Sequence, residues 1–439
     1  MSDALRSVAR RIFLNALRAV DVRNAVRQQV NVDAETLRLG AHTLSRAAVE
    51  SVILIAVGKA AVPMFEAASE KLQGVRVQAV VVAPRETFPP GHHERFLVGE
   101  HPTPGEHSRR AADTILSLLA TATPRDAVLF LVSGGASAMV EKPLDDAISL
   151  ADVAAFHRAL VGSGMTITQI NALRKHMSAV KGGRLAAAAA AAAWQCTLLV
   201  SDVPATEPDA IASGPSLPDS TTVEDCLTLF PRLQNACGSL PESVVRYFSN
   251  GNLPETPKAG DAAFTRASFD VILSGDHLAH AAAEAARAAG FHTVIDNACD
   301  DWEYRDAGRY LMDRSASLAT KYGRVCVISV GEVAVSISAE AGEGGRNGQF
   351  ALWCARDLTH HTPATVLSAG SDGVDGQSAA AGAVCDETTM GRAEQIGQSV
   401  DEALQQFNTA SLLRLVGDAI QTGPTGNNLR DLRLILKER

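Results

Sequence analysis

Short apolar runs recur along the chain, each followed by a glycine-bearing turn and then a helical stretch. Residues 52–57 (VILIAV) lead into Gly58-Lys59 and a helical pattern over 60–72. Residues 78–83 form another apolar run. Residues 127–132 (AVLFLV) lead into Ser133-Gly134-Gly135-Ala136-Ser137, and 197–201 (TLLVS) lead into Asp202. Runs that are apolar throughout, rather than alternating, predict strands buried on both faces, as in parallel sheets covered by helices. An irregular stretch over 248–265, with scattered Pro, Gly and Asn, reads as a linker. Beyond it, 270–274, 291–295, 325–330, 334–339 and 365–368 read as strands of a second α/β segment. In 334–339 Val335, Ile337 and Ala339 alternate with Ser336 and Ser338. That pattern predicts a half-exposed, antiparallel strand and hence a mixed sheet. The predicted domains are 1–250 and 266–439.

Two further segments are helical by pattern. Val8, Ile12, Phe13, Leu17 and Val20 make one stripe along an Arg-rich first segment. Its composition also suits an organelle-targeting peptide, but Asp3 and Asp21 and the apolar stripe favour a plain first helix. The alanine tract over 185–194 reads as a helix, since Ala is the best helix former. No apolar run is long enough to span a bilayer.

The 439 residues call for two or three domains. With 46% hydrophobic and 20% charged residues the composition is that of a folded soluble protein. The formal net charge of −9 and the lack of a dense Lys/Arg run argue against a nucleic-acid partner. An acidic chain that handles an anion must concentrate its positive charge locally. The seven cysteines are odd in number and none is spaced C-x-x-C. A reducing cytosol is therefore expected, with neither a disulfide framework nor a zinc site.

Ligands of open α/β sheets bind at the carboxyl ends of strands, so the residues after each apolar run are the candidates. Residues 133–137 can present backbone N–H groups at a helix start to a phosphate, or form an unliganded turn. The loop fits neither the Walker A nor the dinucleotide Gly-x-Gly-x-x-Gly pattern. Lys59, entering a helix start, is electrostatically misplaced unless it faces an anion or solvent. Residues 171–184 carry Arg174, Lys175, His176, Lys181 and Arg184, a cationic cluster or a solvated basic helix. Asp202 suits a general base, a metal ligand or a turn cap. Arg346, in the glycine-rich turn 344–348, can fork onto phosphate or carboxylate. Asp372 and Asp375 suit Mg²⁺ shared with substrate phosphates, or a plain Asp/Gly turn. No Ser-His-Asp set stands out, and Gly162-Ser163-Gly164 is only a fragment of a hydrolase elbow.

Taken in order, VGKAAVPM (57–64), GEHPTPGEHS (99–108), LVSGGASAM (131–139), RKHMSAVKGGRLA (174–186), SDVPATEPDAIASGPS (201–216), GGRNGQFAL (344–352), SAGSDGVDGQSAAAGAVCD (368–386) and GPTGNNLRDL (423–432) resemble the glycerate 2-kinase family, whose C-terminal region is the MOFRL domain. The resemblance implies a Rossmann-like parallel-sheet N-terminal domain and a smaller mixed-sheet α/β C-terminal domain, with the site in the cleft between them. It implies phosphorylation of D-glycerate by ATP with Mg²⁺ to give 2-phosphoglycerate, in a cytoplasmic monomer or homodimer with no membrane or nucleic-acid partner. Lys59 and Arg346 match positions expected to hold substrate or phosphate charge and Asp202 a cleft carboxylate, so these three are the expected catalytic residues. The expected substrate- or ATP-binding residues are Gly58, Ser133, Gly134, Gly135, Ser137, His101, Arg174 and Asn347, and the expected metal ligands are Asp372 and Asp375. Ala205-Thr206, Ser329-Val330-Gly331-Glu332 and Gln349 depart from the family's usual residues. The rival readings are a nicotinamide-dependent hydroxypyruvate reductase and a non-catalytic sugar-acid binding protein.

Overall fold

The computed structural model describes residues 2–91, 95–201, 208–336, 342–358 and 363–439. They form two compact units, one of residues 22–272 and one joining 1–21 to 273–439. Helix Ser2–Ala19 therefore belongs with the C-terminal unit, and the chain changes unit at 272, not within 250–266.

The 22–272 unit is built on a six-stranded sheet. Its order is Phe96–Val98, Arg76–Ala83, Ser51–Val57, Asp126–Ser133, Trp194–Val200 and Ala267–Leu273. The first five strands pair in parallel. Every residue of Ser51–Val57 and Asp126–Ser133 is buried, which is why both read as unbroken apolar runs. Ile53, Ile55, Val57, Val128, Phe130 and Val132 share one core with Ala111, Ile115 and Leu119 of helix Glu106–Leu119. Strand periodicity turns the residues between them to the opposite face.

A helical layer follows, with Leu150–Gly162, Ile167–Met177, Val223–Ala236 and Glu242–Ser249. Ser149, Thr166 and Thr222 start three of these helices by accepting the N–H three residues on, a cap that satisfies an otherwise orphaned donor. Phe156, Phe230 and Phe248 centre its core, Phe230 stacking on Phe248 with ring centroids 4.6 Å apart.

In the C-terminal unit the sheet order is His292–Ile295, Arg324–Gly331, Asp431–Glu438, Thr365–Gly370, Gly382–Cys385 and Ala419–Ile420. Asp431–Glu438 lies antiparallel to both its neighbours, while His292–Ile295 and Arg324–Gly331 are parallel, so the sheet is mixed as expected. Helices Tyr304–Tyr322 and Arg346–Leu358 pack on one core with Val327, Val366 and Ile435. Helix Ser2–Ala19 packs on helix Gly275–Ala288 and on the sheet. Its Arg6 joins the fully buried Asp386 and Asp418 at 3.2 and 3.0 Å, and Arg392 clasps Asp418 from the other side at 2.8 and 2.9 Å.

Four further expectations fail. The 270–274 run, expected in the second α/β segment, lies in strand Ala267–Leu273 at the edge of the first unit's sheet. The alanine tract holds only the short helix Arg184–Ala188, and Trp194 already belongs to a strand. The chain must turn back into the sheet there, and tertiary packing overrides propensity. Residues 248–265 are not a free linker. Thr256 is buried and donates to Asp219 at 2.8 Å, and Asp219 also pairs with the buried Lys175 at 3.0 Å. Among 334–336 there is only one bridge, Ala334 to Glu303, and 337–339 lie outside the described residues. Among the described residues no helix is long and apolar enough to cross a membrane.

Arg6→Ala should lower stability by about 2–3 kcal/mol, the worth of hydrogen bonds to a charged group. Asp418→Ala, which removes the buried carboxylate that Arg6 and Arg392 share, should cost more, about 3–5 kcal/mol. Denaturant melts of the full chain give the ranking.

Candidate active site

The ends of strands Ser51–Val57 and Asp126–Ser133 approach unusually closely. Gly58 has φ 120°, and a Cβ there would lie 2.5 Å from the Ser133 carbonyl oxygen. Only glycine allows that approach. Ala60 N–H then donates to Ser133 Oγ at 3.0 Å, and Lys59 N–H to the Gly134 carbonyl at 2.9 Å. Gly135, at φ 85°, opens helix Ala136–Met139. A Cβ on Gly135 would sit 3.3 Å from the His101 ring and 3.4 Å from the Lys59 stem, so loop, lysine and histidine share one spot. Burial, and then the Lys59 charge, hold the His101 pKa below its ordinary value. The Lys59 ammonium makes no hydrogen bond or ion pair among the described residues, and the N–H groups of residues 134–137 donate to no described acceptor.

Beside this spot lies a pocket of about 270 Å³ lined by His101, Gly135, Ser137, His157, Asn171 and Arg174, with Ile167, Ala138, Ala210 and Ala212 as apolar wall. Ser137 Oγ lies 2.7 Å from Ser213 Oγ, and Ser213 donates to Asn171 Oδ1 at 3.0 Å. Ala212 and Ser213 both adopt left-handed backbone, φ 55° and 59°, a strained pair that aims the Ser213 hydroxyl. Arg174 is largely buried and its Nε has no hydrogen-bond partner. Burial lowers its pKa, only partly offset by Glu141.

Glu141 itself is fully buried behind the pocket. It accepts from Ser178 Oγ at 2.6 Å, from Lys142 N–H at 2.9 Å and from Lys181 Nζ. Burial alone would raise its pKa, but Lys181 and His157 overcome this and hold it at about 2. His157 Nε2 stands 3.5 Å from Glu141, outside hydrogen-bonding geometry, and burial pushes that imidazole down to about 4. It is neutral near pH 7.

In the C-terminal unit, Asp431 pairs with Gly331 and Gly370, so it stands between the carboxyl ends of two strands. Arg346, first residue of helix Arg346–Leu358, reaches Asp431 through Nε at 2.5 Å and Glu332 through Nη1 at 2.8 Å. Burial works against its charge, yet the two carboxylates more than offset that and raise its pKa. Asp375 is buried and caps the same helix. Its Oδ1 accepts from Asn347 N–H at 2.9 Å and its Oδ2 from Gly348 N–H at 2.8 Å. Burial nevertheless raises its pKa to about 6. Asn347 is buried and accepts from Ser368 Oγ at 2.6 Å. Asp372 is half-buried, and its Oδ1 accepts Val374 N–H at 3.0 Å.

Of the residues singled out by sequence, Gly58, Lys59, His101, Ser133, Gly134, Gly135, Ser137 and Arg174 come together in the 22–272 unit. Arg346, Asn347, Asp372 and Asp375 belong to the other unit, and Asp202 lies outside the described residues. Sequence reasoning missed Glu141, His157, Asn171 and Ser213, and likewise Glu332 and Asp431. Glu141, a charge closing the apolar stretch 136–140, was the one signal available. Among the described residues no group of three or more His, Cys, Asp or Glu side chains could hold a metal ion.

Two sequence families match the chain: a domain of unknown function, DUF4147, over residues 8–249, and the MOFRL family over 325–431. A D-glycerate 2-kinase of Thermotoga maritima is 35% identical over 89% of this chain and 91% of its own. A glycerate 2-kinase of Pyrococcus horikoshii is 32% identical over 98% and 96%. An Agrobacterium vitis protein, provisionally named a hydroxypyruvate reductase, is 34% identical over 98% and 94%. The crystal structure of a glycerate kinase from Thermotoga maritima superposes with a TM-score of 0.83, at 31% identity and 99% coverage of both chains.

Glu141→Gln should cost about 3–5 kcal/mol, because it leaves the Lys181 ammonium buried without a counter-charge. A carboxylate held at about 2, below its ordinary 4.5, stabilises the fold fully above pH 4.5 and progressively less as pH falls towards 2. Urea melts between pH 6 and pH 3 should therefore show a shallower acid loss in the variant than in the parent.

Proposed function

The chain belongs to the glycerate 2-kinase family, whose C-terminal part is the MOFRL domain, and we propose that it transfers the γ-phosphoryl group of ATP to the 2-hydroxyl of D-glycerate. The product of that reaction is 2-phosphoglycerate. One observation carries this reading. In a chain of net charge −9, Lys59 and Arg174 stand at one strand-end loop and its pocket without a hydrogen bond or ion pair among the described residues. A largely buried guanidinium and a half-buried ammonium, neither with an internal partner, call for anionic ligands.

Phosphoryl transfer asks the protein for positioning and charge neutralisation more than for covalent chemistry. The free N–H groups of residues 134–137 cradle nucleotide phosphate, and Lys59 neutralises the transferring group. Asp202 orients or deprotonates the 2-hydroxyl, a role assigned on the family match. Arg346 offers the N–H edge that Asp431 and Glu332 leave open, its direction fixed by those two carboxylates. Bound with the nucleotide, Mg²⁺ would spread the phosphate charge. Asp372 of the same loop would hold that ion, while both Asp375 oxygens accept N–H groups at the helix start. Asp375 is thus a positioning residue for Arg346 and Asn347. The working compartment is the reducing cytosol, in keeping with seven free cysteines. The reductase reading lacks the Gly-x-Gly-x-x-Gly loop that a nicotinamide site uses.

Phosphorus NMR of the product from ATP, Mg²⁺ and D-glycerate should show 2-phosphoglycerate, and hydroxypyruvate with NADH should give no oxidation of the nucleotide. Binding of glycerate without ATP turnover would instead support the binding-protein reading. Lys59→Ala should lower kcat/KM by about 10²–10³, the loss seen when one transition-state donor is removed. The double variant with Arg346→Ala should lose less than the product of the single losses if both cations serve one reaction. Wild-type turnover in both single variants would remove the charge-clamp assignment.

A further inference from the structure

We infer that the pocket beside Gly135 seats the carboxylate of the small hydroxy acid rather than any part of the nucleotide, and that Arg174 is the group that holds it. This rests on the kinase reading above and specifies one half of its site.

Size is the first argument. At about 270 Å³ the pocket sits just below the roughly 300–1,000 Å³ of drug-sized ligand sites. It has room for a three- or four-carbon acid with a few waters, whereas a nucleoside triphosphate would have to extend out of it. Unmet charge is the second. The Arg174 Nε is buried in that lining and donates to nothing, and a buried charged donor without an acceptor is costly. Glu141, the carboxylate that acts on it, is already occupied by Lys181, Ser178 and the Lys142 N–H, so it does not quench the guanidinium. His157 adds no competing charge. The third argument is the rest of the lining. Ser137 and Asn171 of the lining, linked through the buried Ser213 behind them, suit the hydroxyls of a hydroxy acid, and Ile167 and Ala138 bound its short carbon chain. A guanidinium fork matches a carboxylate through two parallel bonds.

The test is calorimetric titration of the full chain and Arg174→Met, with D-glycerate and, separately, with a non-hydrolysable ATP analogue plus Mg²⁺. Losing a charge-assisted pair should weaken D-glycerate binding about 10- to 100-fold, while analogue binding shifts less than about two-fold. Arg174→Lys keeps the charge but not the fork and should fall between. Without ligand, Arg174→Met should melt no lower than the parent, since it removes an unpaired buried charge. A residue that merely supports the fold would melt lower. Loss of analogue binding with D-glycerate binding retained would hand the pocket to the nucleotide and overturn the inference, as would no change in either. If Arg174→Met does not fold, Arg174→Lys decides, and parental D-glycerate affinity there overturns the fork. Should the parent bind D-glycerate through Arg174 yet form no phosphorylated product, the kinase reading falls and the carboxylate seat stands. Should it phosphorylate D-glycerate with Arg174→Met binding the acid as well as the parent, the reverse holds.

Discussion

The contact between Gly58 and Ser133 sets the geometry of the whole N-terminal site. Two neighbouring parallel strands end within hydrogen-bonding reach of each other because one residue has no side chain to keep them apart. Ser133 Oγ is drawn onto Ala60 N–H and the Gly134 carbonyl onto Lys59 N–H. Those two bonds fix where the lysine leaves the backbone and leave the next N–H groups of the loop unspent. His101 and the pocket behind Gly135 take their places from that loop.

The two units handle charge in opposite ways. Around the pocket, cations outnumber the acids free to meet them, because Glu141 is consumed internally by Lys181 and Ser178. Around Arg346 the balance is reversed, with Asp431 and Glu332 both on one guanidinium. An arginine so held is a rigid, oriented donor rather than a mobile counter-ion. Burial raises the pKa of Glu332, and of Asp375 to about 6. One arrangement suits taking up an anion, the other suits aiming a donor.

Much of this was legible in the chain. The buried parallel strands declared themselves as unbroken apolar runs, and the loops after them held Lys59, Ser133 and Gly135. The central strand Asp431–Glu438 did not, because Arg433 and Lys437 interrupt its apolar pattern. Arg433 is wholly buried, its Nη1 donating to the Gly331 carbonyl at 3.2 Å and its guanidinium over the Phe350 ring, a partnership no local window reveals. Glu141 and His157 were missed for the same reason. Their importance lies in partners 16 to 40 positions away that only the fold brings together. Asp375 was seen, but its spacing from Asp372 suggested a metal, whereas the start of a helix 28 residues earlier claims both its oxygens. The alanine tract shows propensity yielding to the need to re-enter a sheet.

The partnership of helix Ser2–Ala19 with the C-terminal unit bears on how the protein is made. The ribosome releases that helix some 250 residues before the helix it packs on, so it must wait, its apolar stripe uncovered, while residues 22–272 emerge and fold as a self-sufficient body. Nor can its own sheet close early. Asp431–Glu438 separates Arg324–Gly331 from Thr365–Gly370 and is translated after both. Biogenesis is thus split in time: a first half able to fold on the ribosome, and a second whose assembly is almost wholly post-translational.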